Sequence, residues 1–412
     1  MPGEQKKQAL KGLRVLDFGA VGVGPICSMI FGHFGAQVIK VESATHPDDL
    51  RTAAPIKPGT NQAGLNASGY FNNFSSNKMS ITLDMKNESA RQVALDLVRH
   101  SDIVVENFKP GVLEKWGLSY EELKAVNRDI IMVRLPMTGS SGPHRDFGGY
   151  GRIITPVAGL NYFCGFENRA PVGIGTNYAD FVVNPGHGVV GALAAQYYRN
   201  RTGEGQVVEV AQTESTAAVI GPTMLDYAVN GNNGKRLGNR HEHAAPHGAF
   251  PCKGDERWLA LAVFSEEEWV TFCEASANPQ WRCDDRFATF SARKANEDEL
   301  ESAISAWTVG QVAEEAMEML QAAGVAAGVV QNAQDILDND PHVKAREFYR
   351  YLEHPETGLS AYDTPGVRLL DTPADVHSPA PLLGQHNEAV LRDVLGYDDE
   401  KITDLLIAGA VQ

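Results

Sequence analysis

Short apolar runs alternate with helical patterns through the first half of the chain, and this alternation limits the fold more than any other feature. "LRVLDF" (13–18) is a run suited to a buried strand. The glycine turn "GAVGVG" follows, then a helix from Pro25 to about Phe34, with Pro25 in the first turn where its missing N–H is harmless. Gly35 ends that helix and "AQVIKVE" returns as a strand. The pattern repeats: a helix around "ARQVALDLVRH" pairs Val93 with Leu97, and "DIVVEN" (102–107) is a further strand. Ser119 and Glu122 form a capping box before a short helix, and "DIIMVRL" is the next strand. Strands separated by helices imply right-handed βαβ units and a mostly parallel sheet, so the fold class is α/β. In such sheets ligands bind at the carboxyl ends of the strands.

Later segments depart from this rhythm. Between Arg51 and Asn77 the chain has no periodicity and is rich in Asn, Gly and Ser. A long structureless connection inside a compact domain is usually functional. After Pro185 an apolar stripe (Val189, Val190, Leu193, Ala194, Tyr197) marks a helix that closes at "RTGEG", and "QVVEVA" is another strand. From about Gly231 a Gly/His/Asn-rich loop leads into an acidic, Trp-containing helical region that reads as a smaller second domain. "AAGVAAGVV" (322–330) reads as the return to the first.

The chain's 412 residues suffice for two domains. A net charge of −16 without a basic block argues against nucleic acid or an anionic membrane as partner. The N-terminus carries no apolar signal region, and no apolar run is long enough to span a bilayer. Five scattered cysteines without a C-x-x-C pair argue against a disulfide framework or structural zinc, and for a cytoplasmic location.

Three groups of residues invite chemistry. In "GTNYADFVVNPGHG" (175–188) a single carboxylate, Asp180, sits among small and apolar residues. Asp is a favoured helix cap, but Asn184, just before Pro185, is the better one, which leaves Asp180 one turn early. A half-buried carboxylate is a stronger nucleophile than a solvated one, and Tyr178 and Phe181 are its expected shields. In the first turn, Gly22 and Gly24 with Glu42 about 20 residues on match a dinucleotide fingerprint, except that Cys27 holds the third glycine position. An oxyanion at that helix N-terminus and a turn needing Gly only for its backbone are equally open readings. His241, His243 and His247 lack a metal-ligand spacing and read as a loop lining a pocket, and His144 reads as a surface histidine; no metal is expected.

"LKGLRVLDFGAVGVGP", "FGAQVIKVE", "DDLR", "NKMSITLDM", "DIVVENFKPGVLEKWGL", "PVGIGTNYADF" and "RTGEGQVVEV", in this order, resemble the class III CoA-transferases, also called the CaiB/BaiF or formyl-CoA transferase family. "AAGVAAGVV", "DPHVKAREF" and "PLLGQHNEAVL" extend the resemblance to nearly the whole chain. It implies a Rossmann-like large domain from both chain ends (1–205 and 336–412), a small domain at 231–310, linkers at 206–230 and 311–335, and an interlocked-ring dimer or a heteromer with a homologous subunit. By that likeness Asp180 is the catalytic aspartate. The same likeness makes Val21, Gly22, Val23, Gly24, Asp48, Arg51, Lys78, Asn107, Phe108 and Lys115 the expected coenzyme A contacts.

The implied chemistry is CoA transfer from a donor acyl-CoA to a free carboxylic acid through an aspartyl anhydride and an aspartyl-CoA thioester, with no tightly bound cofactor. Glycines of the 22–24 turn or of the 231–248 loop could donate to the oxyanion. Formyl-CoA transferases carry Gln where this chain has Gly22, and a "GGGG" loop where it has "GNRHEHAAPHG", which argues for a larger acyl group. Succinyl-CoA is the expected donor and a benzylsuccinate-type aryl dicarboxylate one expected acceptor. An α-methylacyl-CoA racemase of the same superfamily is a rival reading, but its second base, a His, aligns with Tyr150. An NAD-dependent dehydrogenase and a non-catalytic partner subunit are the others.

Overall fold

The computed structural model describes residues 7–57 and 64–412. Part of the aperiodic segment, 58–63, therefore lies outside the described residues. Six strands, β1 (Arg14–Asp17), β2 (Gln37–Glu42), β3 (Lys78–Thr82), β4 (Ile103–Glu106), β5 (Ile131–Arg134) and β6 (Val207–Glu209), form one sheet. Its order is β3-β2-β1-β4-β5-β6 and every pair is parallel. Leu16 of β1 stands opposite Ile39 of β2 and Val104 of β4. This is the doubly wound order, in which the chain reverses direction across the sheet between β1 and β4 and leaves a crevice above their carboxyl ends.

Both faces of the sheet are covered, which is why its strands read as apolar runs. Side chains alternate along each strand. Leu16, Ile39, Ile81, Val104 and Met132 pack on one face with helix Glu88–Arg99 and with Val390, Leu391 and Leu405 near the C-terminus. Val15, Val38, Ile103, Ile131 and Val133 pack on the other with Cys27 and Phe31 of helix Val23–His33 and with Ala192 and Ala195 of helix Asn184–Thr202. Helix Glu88–Arg99 forms where Asn87 caps it and Ala90, Val93, Ala94 and Leu97 recur at helical spacing. The Ser119–Glu122 capping box is present.

The chain divides into two compact units. The first takes in residues to Asn161, Gly173–Asn233 and His342–Gln412, including a hairpin of β10 (Tyr349–His354) and β11 (Gly358–Asp363). The second comprises Tyr162–Val172 and Gly234–Pro341. It holds an antiparallel sheet of β7 (His247–Pro251), β8 (Trp258–Ala262) and β9 (Ala326–Val329) over a core of Trp269, Phe272, Leu300 and Leu320. The small-residue stretch 322–330 therefore does not lead back to the first unit. It supplies β9, whose small side chains suit an edge strand. No helix among the described residues is long and apolar enough to cross a membrane.

Candidate active site

Asp180 lies in the first unit inside a π-helical turn, Ala179–Val183, that continues into helix Asn184–Thr202. Pro185 explains the wide turn. It has no N–H to offer the carbonyl four residues back, and the Asn184 N–H bonds Ala179 O, five residues back. Asn184 is therefore not the expected cap. Its backbone is helical and its buried side chain is used elsewhere, with Oδ1 accepting from Ser215 Oγ at 2.5 Å and Nδ2 donating to Gln212 Oε1 at 3.3 Å.

Asp180 is only 3% exposed. Oδ2 accepts the Gly151 N–H at 2.6 Å, while Oδ1 is buried without a hydrogen-bond partner. Burial pushes its pKa up to about 6, against the opposing pull of the Gly151 N–H. Gly151 must be glycine, since a Cβ there would sit 2.6 Å from Oδ2. Gly22 also faces Asp180: a Cβ at Gly22 would lie 3.4 Å from the Asp180 Cβ and 3.6 Å from the Phe181 ring. Phe181 packs on Phe74 (4.9 Å between centroids) and Tyr70 (6.1 Å) and so helps wall the site. Tyr178, the other expected shield, is exposed instead.

The glycine turn is held from below by buried and half-buried side chains. Asp17 Oδ1 accepts the Gly19 N–H (2.8 Å), and Lys40 Nζ donates to Gly19 O (2.7 Å). Asn107 bonds both the N–H and the carbonyl of Ala20, each at 2.8 Å. Asp48 Oδ1 accepts the Val21 N–H at 3.0 Å, and Asp48 Oδ2 lies 3.1 Å from Lys40 Nζ. Gly24 fits because a Cβ would strike Asn107 Oδ1 at 2.7 Å. Val23 opens the helix that packs on the sheet.

Two residues expected to offer positive charge to a ligand do not. Arg51 is fully buried, paired with both Glu42 oxygens at 2.7 Å and stacked over Phe71 at 3.6 Å. Lys78 is buried against Asp17 at 3.0 Å and donates to Pro25 O at 2.7 Å; burial lowers its pKa to about 8, with Asp17 opposing. A charge in a buried strand run is stable only if a partner is buried with it. Phe108 meets Trp116 edge-on (5.4 Å), and both line a cavity of about 320 Å³ with Phe18, Val41, Leu83 and Met85. This cavity sits at the carboxyl ends of β1 to β4. Lys86 lines it, and Lys115 is exposed next to Trp116.

The remaining readings find less support. Glu42, needed free to take a ribose, is occupied by Arg51, and Cys27 packs against Gly188. Tyr150 projects to solvent and His144 stacks on Phe147. His241 and His247 lie 5.4 Å apart in the second unit. Among the described residues no group of three or more His, Cys, Asp or Glu side chains is arranged to hold a metal ion.

The model of CoA-transferase family III matches residues 10–387. The chain belongs to CoA-transferase family III. As a family III CoA-transferase it is similar to the succinyl-CoA–D-citramalate CoA-transferase of Chloroflexus aurantiacus, 33% identical over 405 residues and 98% of each chain. It is also similar to the beta subunit of succinyl-CoA–L-malate CoA-transferase from the same organism, 32% identical over 98% of each. Among solved structures, a CaiB/BaiF family protein from Brucella suis superposes with a TM-score of 0.86 at 29% identity, covering 94% of this chain and all of that one.

Sequence reasoning missed Gly151 and Lys40. The charge at position 40 within "VIKVE" was a usable signal, because a lysine inside a buried run needs a buried acceptor. Gly151 gave none, since its role is an N–H and the absence of a side chain.

Proposed function

We propose that this family III enzyme transfers CoA from succinyl-CoA to a larger carboxylic acid, with Asp180 as the nucleophile. The observation that carries the reading is the Asp180 carboxyl itself, buried beside Gly22 with one oxygen unpartnered. Ionised Asp180 attacks the donor thioester, forming a C–O bond and expelling CoA thiolate, which leaves an acyl-aspartyl anhydride. The thiolate attacks the aspartyl carbonyl, forming aspartyl-CoA and releasing succinate. The acceptor carboxylate then attacks the aspartyl thioester, and the expelled thiolate takes the acceptor acyl group from the resulting anhydride, restoring Asp180. Thioester replaces thioester, so neither ATP nor a tightly bound cofactor enters.

Each tetrahedral intermediate needs a donor to its oxyanion, and removing one typically costs about 3 kcal/mol of barrier. The backbone around Gly22 supports that role, since it adjoins Asp180 and carries no side chain. The cavity beside Phe108 and Trp116 suits the apolar part of the coenzyme, with Lys86 and Lys115 offering charge to its phosphates. Val21 to Gly24, Asn107 and Phe108 border the path from that cavity to Asp180 in this reading, Asp48 lines the cavity, and Arg51 and Lys78 act from beneath.

The similar succinyl-CoA-dependent enzymes of Chloroflexus aurantiacus support succinyl-CoA as donor, and Gly22 in place of a glutamine supports a larger acid as acceptor. Dicarboxylates, from citramalate-like hydroxy acids to the benzylsuccinate type, are the first to try. Exposed Val190, Tyr197, Leu225 and Val229 on helices of the first unit support burial against a second protomer, as a homodimer or with a homologous chain. Cysteine usage supports a cytoplasmic setting. The test is incubation with succinyl-CoA and each acid in deuterated water. New acyl-CoA without α-carbon deuterium is expected; α-carbon exchange without acyl transfer would establish a racemase instead.

A further inference from the structure

We propose that the buried Lys40–Asp48 ion pair is a positioning device for the reaction at Asp180, clamping the turn that holds Gly22 against the carboxylate. Five main-chain polar groups before Gly22 are each bonded by a side chain: Gly19 N–H and O by buried Asp17 and Lys40, Ala20 N–H and O by half-buried Asn107, and Val21 N–H by buried Asp48. Lys40 and Asp48 form two of these bonds and are tied to each other at 3.1 Å, with side chains 1% and 2% exposed. The turn they hold is strained. Val21 is β-branched yet sits at φ +63°, in the left-handed region that such residues avoid. A conformation of this kind persists only where its surroundings over-determine it. The next residue is Gly22, 3.4 Å from the Asp180 Cβ by its missing side chain.

A buried ion pair is weak evidence for stability, because an apolar pair of similar volume often does as well. What an apolar pair could not do is accept the Val21 N–H and donate to Gly19 O together. Asp48 thereby acts through the turn, in addition to lining the cavity beside Phe108 and Trp116.

This inference rests on Asp180 being the nucleophile, so the test follows acylation of Asp180 directly. Rapid-quench mass spectrometry would measure the rate at which succinyl-CoA labels the Asp180 peptide, and calorimetry the affinity for free coenzyme A. In Asp48→Ala, labelling should slow by about tenfold or more, because small misplacements of reacting groups are costly, while CoA affinity is retained. Asp48→Asn keeps an oxygen for the Val21 and Leu50 N–H groups but loses the ion pair to Lys40, so labelling should be slowed, though less than in Asp48→Ala. Should Asp48→Ala not fold, Lys40→Met/Asp48→Leu leaves no unpaired buried charge and should be equally slow. Labelling of either unclamped variant at the wild-type rate would overturn the inference, as would a loss confined to CoA affinity. Failure of the wild type to label at Asp180 would instead refute the nucleophile reading.

Discussion

In the proposed reaction Asp180 owes its reactivity to desolvation, and its burial has consequences for pH. With a pKa near 6, the carboxylate is protonated and non-nucleophilic below that value. The acid limb of kcat/KM should therefore have its midpoint near pH 6, not near 4 as for an exposed Asp. Stability runs the other way. The folded value lies above the ordinary 3.8, so the stabilising contribution is complete below 3.8 and is lost as pH rises to about 6. Above pH 6 the ionised group costs the fold roughly 2–3 kcal/mol. Asp180→Asn should therefore be inactive yet melt higher at pH 7.5 by calorimetry. Gly151→Ala should lose activity, since its methyl would collide with Oδ2; wild-type turnover in that variant would show the contact to be dispensable. Asp180 stood out in the sequence because no partner explained it. Its partial burial was legible too, but its hydrogen-bond partner was not, because Gly151, 29 positions away, becomes a neighbour only through the fold.

Among the elements, β1 to β5 were legible because they are buried on both faces, and helix Glu88–Arg99 because it carries one apolar stripe. What stayed illegible was geometry that periodicity does not encode. The Asn184–Pro185 pair has the composition of a helix start, but Pro185 there widens a helix already under way. Small residues at 326–329 have the composition of a connector but pair with β8. Charges within strands proved to be structural. Lys78→Met would leave Asp17 buried without its 3.0 Å partner and should cost about 3–5 kcal/mol in denaturant unfolding. A loss below about 1 kcal/mol would mean that Lys40 and Ser28 compensate for it.

For the whole molecule, the order of motifs carried more than any one of them. Taken alone, Gly22, Gly24 and Glu42 fitted a dinucleotide enzyme, and only the fold revealed Glu42 locked to Arg51. Assembly belongs to this scale as well. Light scattering should return twice the 44.6 kDa of one chain, and Tyr197→Asp on the exposed helix face should lower that mass toward the monomer. The central claim, a carboxylate that becomes covalently acylated, is tested most directly by trapping it. Incubation with succinyl-CoA followed by hydroxylamine and peptide mass spectrometry should yield a hydroxamate at Asp180 that appears only with the donor. Acyl transfer proceeding at full rate with no modification of Asp180, or with the label on another residue, would contradict it.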